Sequence, residues 1–178
     1  MKAIVVSAFP GCGKTYAFEH QEELGWRIKD SDSSKYEKEP NWEKTYVSDI
    51  KNAIESGEYD FIFVSQHDGI REELQNQGIL FATVSPPGHD GAVYSRFLLE
   101  KAAWFDRFKD RDNSHIKDFD KFIKVLEDNY NSWTSKENQS KYGCKFHITL
   151  YRNRYIKDCL GSIKDFWIKK YRVQGAAA

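Results

Sequence analysis

A glycine-rich segment near the N-terminus constrains the fold of this chain more than any other feature. It reads Ala8-Phe9-Pro10-Gly11-Cys12-Gly13-Lys14-Thr15 and follows residues 3–7, an apolar run of strand length. Residues 16–24 are compatible with a helix, and Gly25 provides its stop signal. A glycine-rich turn between strand and helix lets backbone N–H groups point into one concavity, which the helix dipole makes positive. The segment therefore predicts a loop that binds a polyphosphate.

The residue types in this loop suit ATP. Gly11 and Gly13 allow positive φ angles and a close backbone approach. Lys14 offers a mobile charge to the β- and γ-phosphates, and the Thr15 hydroxyl can coordinate magnesium. Ala8 replaces the first glycine of the strict GxxxxGK[ST] pattern, where alanine is small enough to fit; the alternative is a chance glycine-rich turn. The predicted ATP-binding residues of the loop are Pro10, Gly11, Cys12, Gly13, Lys14 and Thr15, with Cys12 as a filler rather than a nucleophile.

The rest of the chain alternates between strand and helix patterns. Apolar runs predict further strands at residues 26–30, 61–64, 79–84 and 145–151. Helical spacing predicts helices at residues 41–56, 68–76, about 93–110, about 116–133 and 155–173, the last compatible with a break at Gly161. Residues 132–143 read as a polar connection. This order is typical of a parallel sheet with helices on both faces.

Length and composition exclude several classes of protein. The 178 residues suit a single domain, which we place at residues 1–174, with 175–178 as a tail. No apolar run approaches the roughly 20 residues that cross a membrane, and three cysteines without a CxxC pair fit a reducing compartment. We therefore expect a cytoplasmic protein. The 27 basic and 27 acidic residues balance, which argues against a generally cationic coat for nucleic acid or membranes.

Two carboxylates follow the second predicted strand, in Asp30-Ser31-Asp32. Because the carboxyl ends of parallel strands meet at the ligand crevice, both are expected to face the phosphate loop. Asp30 is predicted to support magnesium, and Asp32 to position an acceptor hydroxyl. The alternative is an Asx turn that caps the next helix.

Two other nucleotide-binding classes fit poorly. A GTPase would need an NKxD segment, which the chain lacks. A motor ATPase would place an acidic pair directly after a buried strand, whereas residues 61–64 are followed by Ser65-Gln66-His67.

The phosphate loop, the Asp30-Ser31-Asp32 segment and the five-strand spacing resemble the small P-loop kinases. These form the nucleoside monophosphate kinase and shikimate kinase group, which includes short bacteriophage members. The resemblance implies a three-layer α/β/α sandwich with a five-stranded parallel sheet, a helical lid at about residues 88–133, and ATP and Mg²⁺ as cofactors. It also implies that Asp32 matches an acceptor-binding aspartate, and that the donor base lies near Arg152 and Arg154, after the last strand.

Phosphoryl transfer needs cations that neutralise the moving group. Arg96 most closely follows the Pro86-Pro87-Gly88 break and is our predicted catalytic arginine. We interpret Arg107 and Arg111 as a solvated, ion-paired surface. Arg71, after the third strand, can meet an acceptor phosphate or lie on the surface.

Three further side chains are candidates for contact with the acceptor. His67 directly follows the third strand and can act as a base or a hydrogen-bond donor, or simply as a bonded loop histidine. Tyr36 and Trp42 are candidates to stack on an acceptor base, although core packing is the default for aromatic residues at helical spacing.

Three functions remain open. The first is a kinase that transfers the γ-phosphate of ATP to a (deoxy)nucleoside monophosphate or similar small nucleotide. The second is a kinase for a hydroxyl of a polynucleotide, at a 5′ end or on a modified base in DNA. Nine basic residues against two acidic ones within residues 141–172 favour it, while residues 1–140 carry 18 basic and 25 acidic residues. The third is a non-catalytic ATP-binding regulator.

Overall fold

The fold is built around five short parallel strands. The structure is a computed structural model, and it describes residues 2–36, 40–89, 94–109, 116 and 118–171. The strands are β1 (Ile4–Ala8), β2 (Ile28–Asp30), β3 (Phe61–Val64), β4 (Phe81–Ser85) and β5 (Phe146–Thr149). They form one sheet in the order β2-β3-β1-β4-β5. The central strand β1 pairs with β3, where Ile4 lies opposite Phe61, and with β4, where Val5 lies opposite Phe81.

Eight helices are described along with these strands. They are α1 (Lys14–Glu19), α2 (Gln21–Leu24), α3 (Trp42–Ser56), α4 (Asp68–Asn76), α5 (Tyr94–Lys109), α6 (Phe119–Trp133), α7 (Lys136–Ser140) and α8 (Leu160–Tyr171). Single 3₁₀ turns occupy Ser33–Lys35, Lys141–Gly143 and Ile156–Asp158. No helix in these described ranges is long and apolar enough to cross a bilayer.

Alternating residues of the buried strands face two separate cores. Ile4 and Val6 of β1 pack with residues of α5, α6 and α8 on one face of the sheet. Val5 packs with residues of α3 and α4, such as Val47 and Leu74, on the other. Because side chains alternate along a strand, a strand covered on both faces is apolar throughout, as all five residues of β1 are buried. The predicted three-layer α/β/α fold with a five-stranded parallel sheet is confirmed.

The observed elements differ from the predicted ones in three places. The predicted first helix is two short helices that meet at His20, and Gly25 ends the second with a φ of 69°. The predicted polar connection contains α7, whose residues Asn138 and Gln139 are buried. A 3₁₀ turn precedes the last helix, which runs through Gly161 without a break.

The helical region predicted as a lid contributes directly to the core. Phe97, Trp104 and Phe108 of α5, and Leu126 and Tyr130 of α6, are buried in the cluster that also holds Phe9 of the glycine-rich loop. The predicted ends of the first lid helix, Val93 and Asp110, lie outside the described residues. A lid movement remains a prediction.

Candidate functional site

The glycine-rich loop runs from the end of β1 into α1 with two left-handed residues. Gly11 has a φ of 80° and Gly13 a φ of 85°, a region that favours glycine because it has no Cβ. Gly13 is the N-cap of α1, and no side chain caps that helix. The first N–H groups of a helix have no partner within it, so the amides at the start of α1 are directed to whatever occupies the loop.

The side chain of Lys14 contacts the backbone of the glycine-rich loop. Lys14 Nζ donates to the carbonyl of Ala8 at 2.9 Å, which places the ammonium between the start of the loop and the start of α1. The neighbouring Cys12 is fully buried, and its thiol contacts the carbonyl of Val84. Burial raises the pKa of this thiol to about 12, so it stays protonated at neutral pH and is a poor nucleophile.

The structure brings Thr15 and Asp30 together. The Thr15 hydroxyl donates to Asp30 Oδ2 at 3.1 Å, although β2, which carries Asp30, is separated from β1 by β3. Burial raises the pKa of the Asp30 carboxyl above its ordinary value, and Lys14 and the Thr15 hydrogen bond oppose that rise. A hydroxyl and a partly buried carboxylate beside a phosphate loop are hard oxygen ligands, the kind that Mg²⁺ takes together with phosphate oxygens.

The second carboxylate has a local partner. Asp32 is exposed, and its Oδ1 accepts a hydrogen bond from the backbone N–H of Ser34 at 2.9 Å. It therefore caps the 3₁₀ turn at Ser33–Lys35, which is the Asx-turn arrangement. Its role toward an acceptor stays a prediction.

A cleft with a volume of about 290 Å³ opens over the phosphate loop. One wall is the loop itself, the second is the segment after β3, and the third is the Trp133 ring at the end of α6. The lining residues are Ala8, Phe9, Pro10, Lys14, Ser65, Gln66, His67, Asp68 and Trp133. The cleft thus combines apolar walls with hydroxyl, amide, imidazole, ammonium and carboxylate groups, the usual character of a small-molecule site.

Two polar side chains of the cleft were not singled out from the sequence. The Ser65 hydroxyl is buried without a hydrogen-bond partner in the described structure. The Gln66 amide donates to Gln139 Oε1 at 3.0 Å, and Gln139 in turn donates to the Trp133 carbonyl. This link joins the segment after β3 to α7, and it holds the corner that carries Trp133. A local pattern cannot reveal it because Gln66 and Gln139 are 73 residues apart.

The predicted acceptor residues His67, Tyr36 and Trp42 occupy different surroundings. His67 lines the cleft, and the Trp42 ring packs edge-on against it with centroids 5.9 Å apart. The Tyr36 hydroxyl donates to the Asp49 carboxylate, and its ring packs edge-on against Tyr46. His67 is therefore at the cleft and Trp42 is beside it, whereas the Tyr36 hydroxyl is directed to α3.

Arg71 is buried and held in place, so the alternative of a surface role is wrong. The residue is 1% exposed. Its guanidinium donates to the backbone carbonyl of Asn138 at 3.0 Å, to the Asn138 side chain at 2.6 Å and to the Asp68 carboxylate. These bonds tie α4 to α7. Contact between Arg71 and an acceptor phosphate stays a prediction.

The two arginines of α5 differ in exposure, and Arg107 differs from its prediction. Arg96 is exposed, with its guanidinium 5.3 Å from the centroid of the Tyr151 ring, and its catalytic role stays a prediction. Arg107 is half-buried, and its guanidinium contacts the carbonyl of Gly11 in the phosphate loop. The interpretation of Arg107 as a solvated, ion-paired residue is wrong. Arg111 lies outside the described residues.

The segment after β5 lies beside the phosphate loop. Arg152 and Arg154 are exposed there, and the backbone N–H of Arg152 donates to the buried Glu100 carboxylate at 2.8 Å. The N–H of Ile156 donates to the Cys12 carbonyl at 2.8 Å, which joins the end of this segment to the loop. Use of the two arginines for a donor base stays a prediction.

Comparison with known proteins adds little to this picture. No protein-family model matches the chain, and no curated protein sequence does. Among solved structures, the chain is similar to shikimate kinase from Acinetobacter baumannii in complex with shikimate, with 15% sequence identity and a TM-score of 0.47. That alignment covers 96% of this chain and 95% of the other. The three-layer α/β fold, with a glycine-rich loop between β1 and α1, is evident without this likeness.

Proposed function

We propose that the protein is an ATP- and magnesium-dependent phosphotransferase of the small P-loop kinase type, with a (deoxy)nucleoside monophosphate or similar small nucleotide as acceptor. The observation that carries the proposal is the joint placement of Lys14, Thr15 and Asp30 around an uncapped helix start. A phosphate cradle, a mobile cation and a pair of hard oxygen ligands are what transfer of a γ-phosphate requires.

Each part of the loop has a role in this proposal. The amides at the start of α1 bind the donor phosphates, and Lys14 leaves the Ala8 carbonyl to contact the β- and γ-phosphates. Thr15 and Asp30 would hold Mg²⁺, which would supply positive charge to the phosphates of the donor. Asp30 must be ionised for this, and Lys14 beside it favours the charged form.

The acceptor is proposed to enter the cleft between the loop and Trp133. Lys14 belongs to both sites, so an acceptor hydroxyl in the cleft lies next to the transferring phosphate. The Trp133 ring supports a flat ring such as a nucleobase, and Ser65, Gln66 and His67 supply hydrogen-bonding groups. Asp32 is proposed to orient the hydroxyl after it exchanges its bond with Ser34.

The direct test is incubation of the protein with Mg-ATP and a panel of ribo- and deoxyribonucleoside monophosphates and nucleosides. We expect one group of acceptors to gain a phosphate, measured by mass spectrometry of the products. Lys14→Ala is expected to lower the transfer rate by about 100-fold or more, since it removes a charge that acts on the transition state. Glu23→Gln, an exposed change on α2, is the control.

The possible outcomes separate the alternatives. Binding of ATP without transfer to any member of the panel contradicts the nucleotide acceptor. If oligonucleotides also gain no phosphate, a non-catalytic ATP-binding regulator is supported. Absence of ATP binding contradicts the whole proposal.

A second candidate acceptor is a hydroxyl on DNA, at a 5′ end or on a modified base. The observation that favours it is the charge of residues 141–172, where Arg152 and Arg154 are exposed beside the phosphate loop. Oligonucleotides with a free 5′ hydroxyl or with a hydroxyl-bearing base, added to the same assay, test it. Transfer to these and not to free nucleotides would favour the second candidate over the first.

A further inference from the structure

Three successive carbonyl groups of the phosphate loop are tied to groups outside it. The Pro10 carbonyl accepts from Trp104 Nε1 at 3.2 Å, the Gly11 carbonyl from Arg107 at 3.5 Å, and the Cys12 carbonyl from the N–H of Ile156 at 2.8 Å. In a trans peptide the C=O and N–H of one unit point in opposite directions. The bonds from Trp104 and Ile156 therefore direct the N–H groups of Gly11 and Gly13 into the concavity, where a phosphate would lie. Arg107 holds the unit between them, whose Cys12 N–H donates to the Phe9 carbonyl at 3.2 Å and closes the turn of the loop.

Arg107 makes a second set of contacts that leads away from the loop. Its other terminal nitrogen donates to the carbonyl of Arg154 at 3.0 Å and to that of Tyr151 at 3.4 Å. One guanidinium thus bridges the phosphate loop and the segment after β5, which lie more than 130 residues apart in the chain.

Aromatic rings fix the plane of that guanidinium. Its central carbon lies 4.1 Å from the Trp104 ring centroid and 4.3 Å from that of Tyr155. The same rings pack against the glycines, since a Cβ on Gly11 would lie 3.2 Å from Trp104 Nε1 and one on Gly13 would lie 3.1 Å from the Tyr155 ring. A planar fork with several donors fits between two rings and reaches several carbonyls, which a lysine ammonium cannot do.

We propose that Arg107 is a positioning residue that holds the phosphate loop in its binding conformation and couples it to the segment at residues 151–155. It acts through backbone carbonyls rather than through contact with the transferring phosphate. The benefit for ATP binding rests on the proposed function, whereas the coupling of the two segments belongs to the ligand-free protein and is measurable there.

The first experiment measures amide hydrogen exchange in the ligand-free protein. In Arg107→Ala, peptides from the phosphate loop and from residues 150–156 are expected to exchange about 10-fold faster than in the wild type, because both lose charged hydrogen bonds. Lys109→Ala is the matched control, since it removes an exposed cation from the same helix. Exchange that rises in neither segment, or in only one of them, overturns the coupling.

Arg107→Lys tests whether faster exchange reflects loss of the guanidinium contacts or a general loss of stability. It keeps the charge and the aliphatic stem between Trp104 and Tyr155 but loses the fork. We expect a melting temperature close to that of Lys109→Ala, together with faster exchange in both segments. Exchange equal to that of the control would contradict the role of the guanidinium.

The second experiment measures Mg-ATP affinity by calorimetry. Arg107→Ala is expected to bind Mg-ATP about 10- to 100-fold more weakly, the loss expected for charged hydrogen bonds. Millimolar ethylguanidinium should restore part of that affinity, whereas an equal concentration of sodium chloride should not. Unchanged affinity, or rescue by both salts, overturns the positioning role. A wild type that does not bind Mg-ATP overturns the proposed function instead, and the exchange result still decides the coupling.

Discussion

Asp30, the carboxylate proposed to hold magnesium, has a pKa that is set by opposing neighbours. Its neighbours act in opposite directions: burial favours the protonated acid, while Lys14 and Thr15 favour the ion. The net effect is a raised pKa, so this carboxyl loses its charge at a higher pH than an exposed aspartate does. A bound Mg²⁺ would favour the ionised form, so metal and proton would compete for the same oxygens.

This competition predicts a pH dependence of Mg-ATP binding. As the pH falls through the raised pKa of Asp30, affinity for Mg-ATP should fall, because the protonated carboxyl must lose its proton before it binds the metal. Asp30→Asn should bind Mg-ATP weakly at neutral pH and should lose this acid-dependent decline. Calorimetric titrations at several pH values measure both effects.

The control for this prediction is Glu23→Gln, whose carboxylate is exposed on α2. It should reproduce the wild-type decline. If Asp30→Asn showed the same decline as the wild type, the titrating group would lie elsewhere and the assignment of Asp30 to the metal would be wrong.

Residues of the site differ in how far the sequence reveals them. Lys14 and Thr15 belong to one continuous motif, and Asp30 follows from the convergence of parallel strands at their carboxyl ends. The sequence does not reveal the placement of Arg107, because its hydrogen-bond partners are backbone carbonyls, which carry no sequence signature. The Gly11 carbonyl that it contacts is 96 residues away.

At the scale of elements, α7 illustrates the limit of pattern reading. Polar residues such as Asn138 and Gln139 predict a loop, yet both are buried in a helix. They are inside because Arg71 and Gln66 satisfy their hydrogen-bonding groups from the opposite side. Buried polar groups need such partners, and the partners come from elements distant in the chain.

The contact between α4 and α7 predicts a large effect of Arg71 on stability. Arg71→Met should lower the free energy of unfolding by about 3 kcal/mol, since the Asn138 carbonyl and side chain stay buried without their donor. Arg27→Met is the matched control, because Arg27 is exposed and its ion pair with Asp60 should contribute at most about 1 kcal/mol. Urea unfolding measures both. Equal losses in the two variants would mean that the tie between α4 and α7 is weak.

At the scale of the whole molecule, the order of strand and helix patterns in the sequence predicts the topology better than it predicts the site. Apolar runs of strand length alternate with helices, and a parallel sheet with crossover helices is the standard solution to that order. The central position of β1 in the sheet agrees with the burial of all five of its residues. The cleft is less predictable because it joins the loop after β1, the segment after β3 and the end of α6, and their meeting depends on packing of the entire chain.

The balanced net charge conceals an uneven distribution of charge along the chain. Residues 141–172 carry nine basic and two acidic side chains, and residues 1–140 carry the compensating acidic excess. Within the described residues, Lys169 and Lys170 are exposed on the last turn of α8, whereas Arg152 and Arg154 lie beside the phosphate loop. One basic segment thus contains two groups of cations that can serve different ligands.

Paired variants separate these two uses. If DNA is the acceptor, binding of single-stranded DNA should weaken with salt, and Lys169→Ser/Lys170→Ser should reduce the slope of log K against log salt by about 1 for each lost phosphate contact. Mg-ATP affinity should stay unchanged in that variant.

If Arg152 and Arg154 serve the donor instead, Arg152→Ser/Arg154→Ser should weaken Mg-ATP binding and leave the salt slope for DNA unaltered. Lys121→Ser/Lys124→Ser on α6, which removes two exposed cations outside the basic segment, is the control for both measurements. Wild-type DNA binding that is absent at low salt would remove the second candidate acceptor, because a duplex or single strand cannot be held for transfer without contacts to its phosphates.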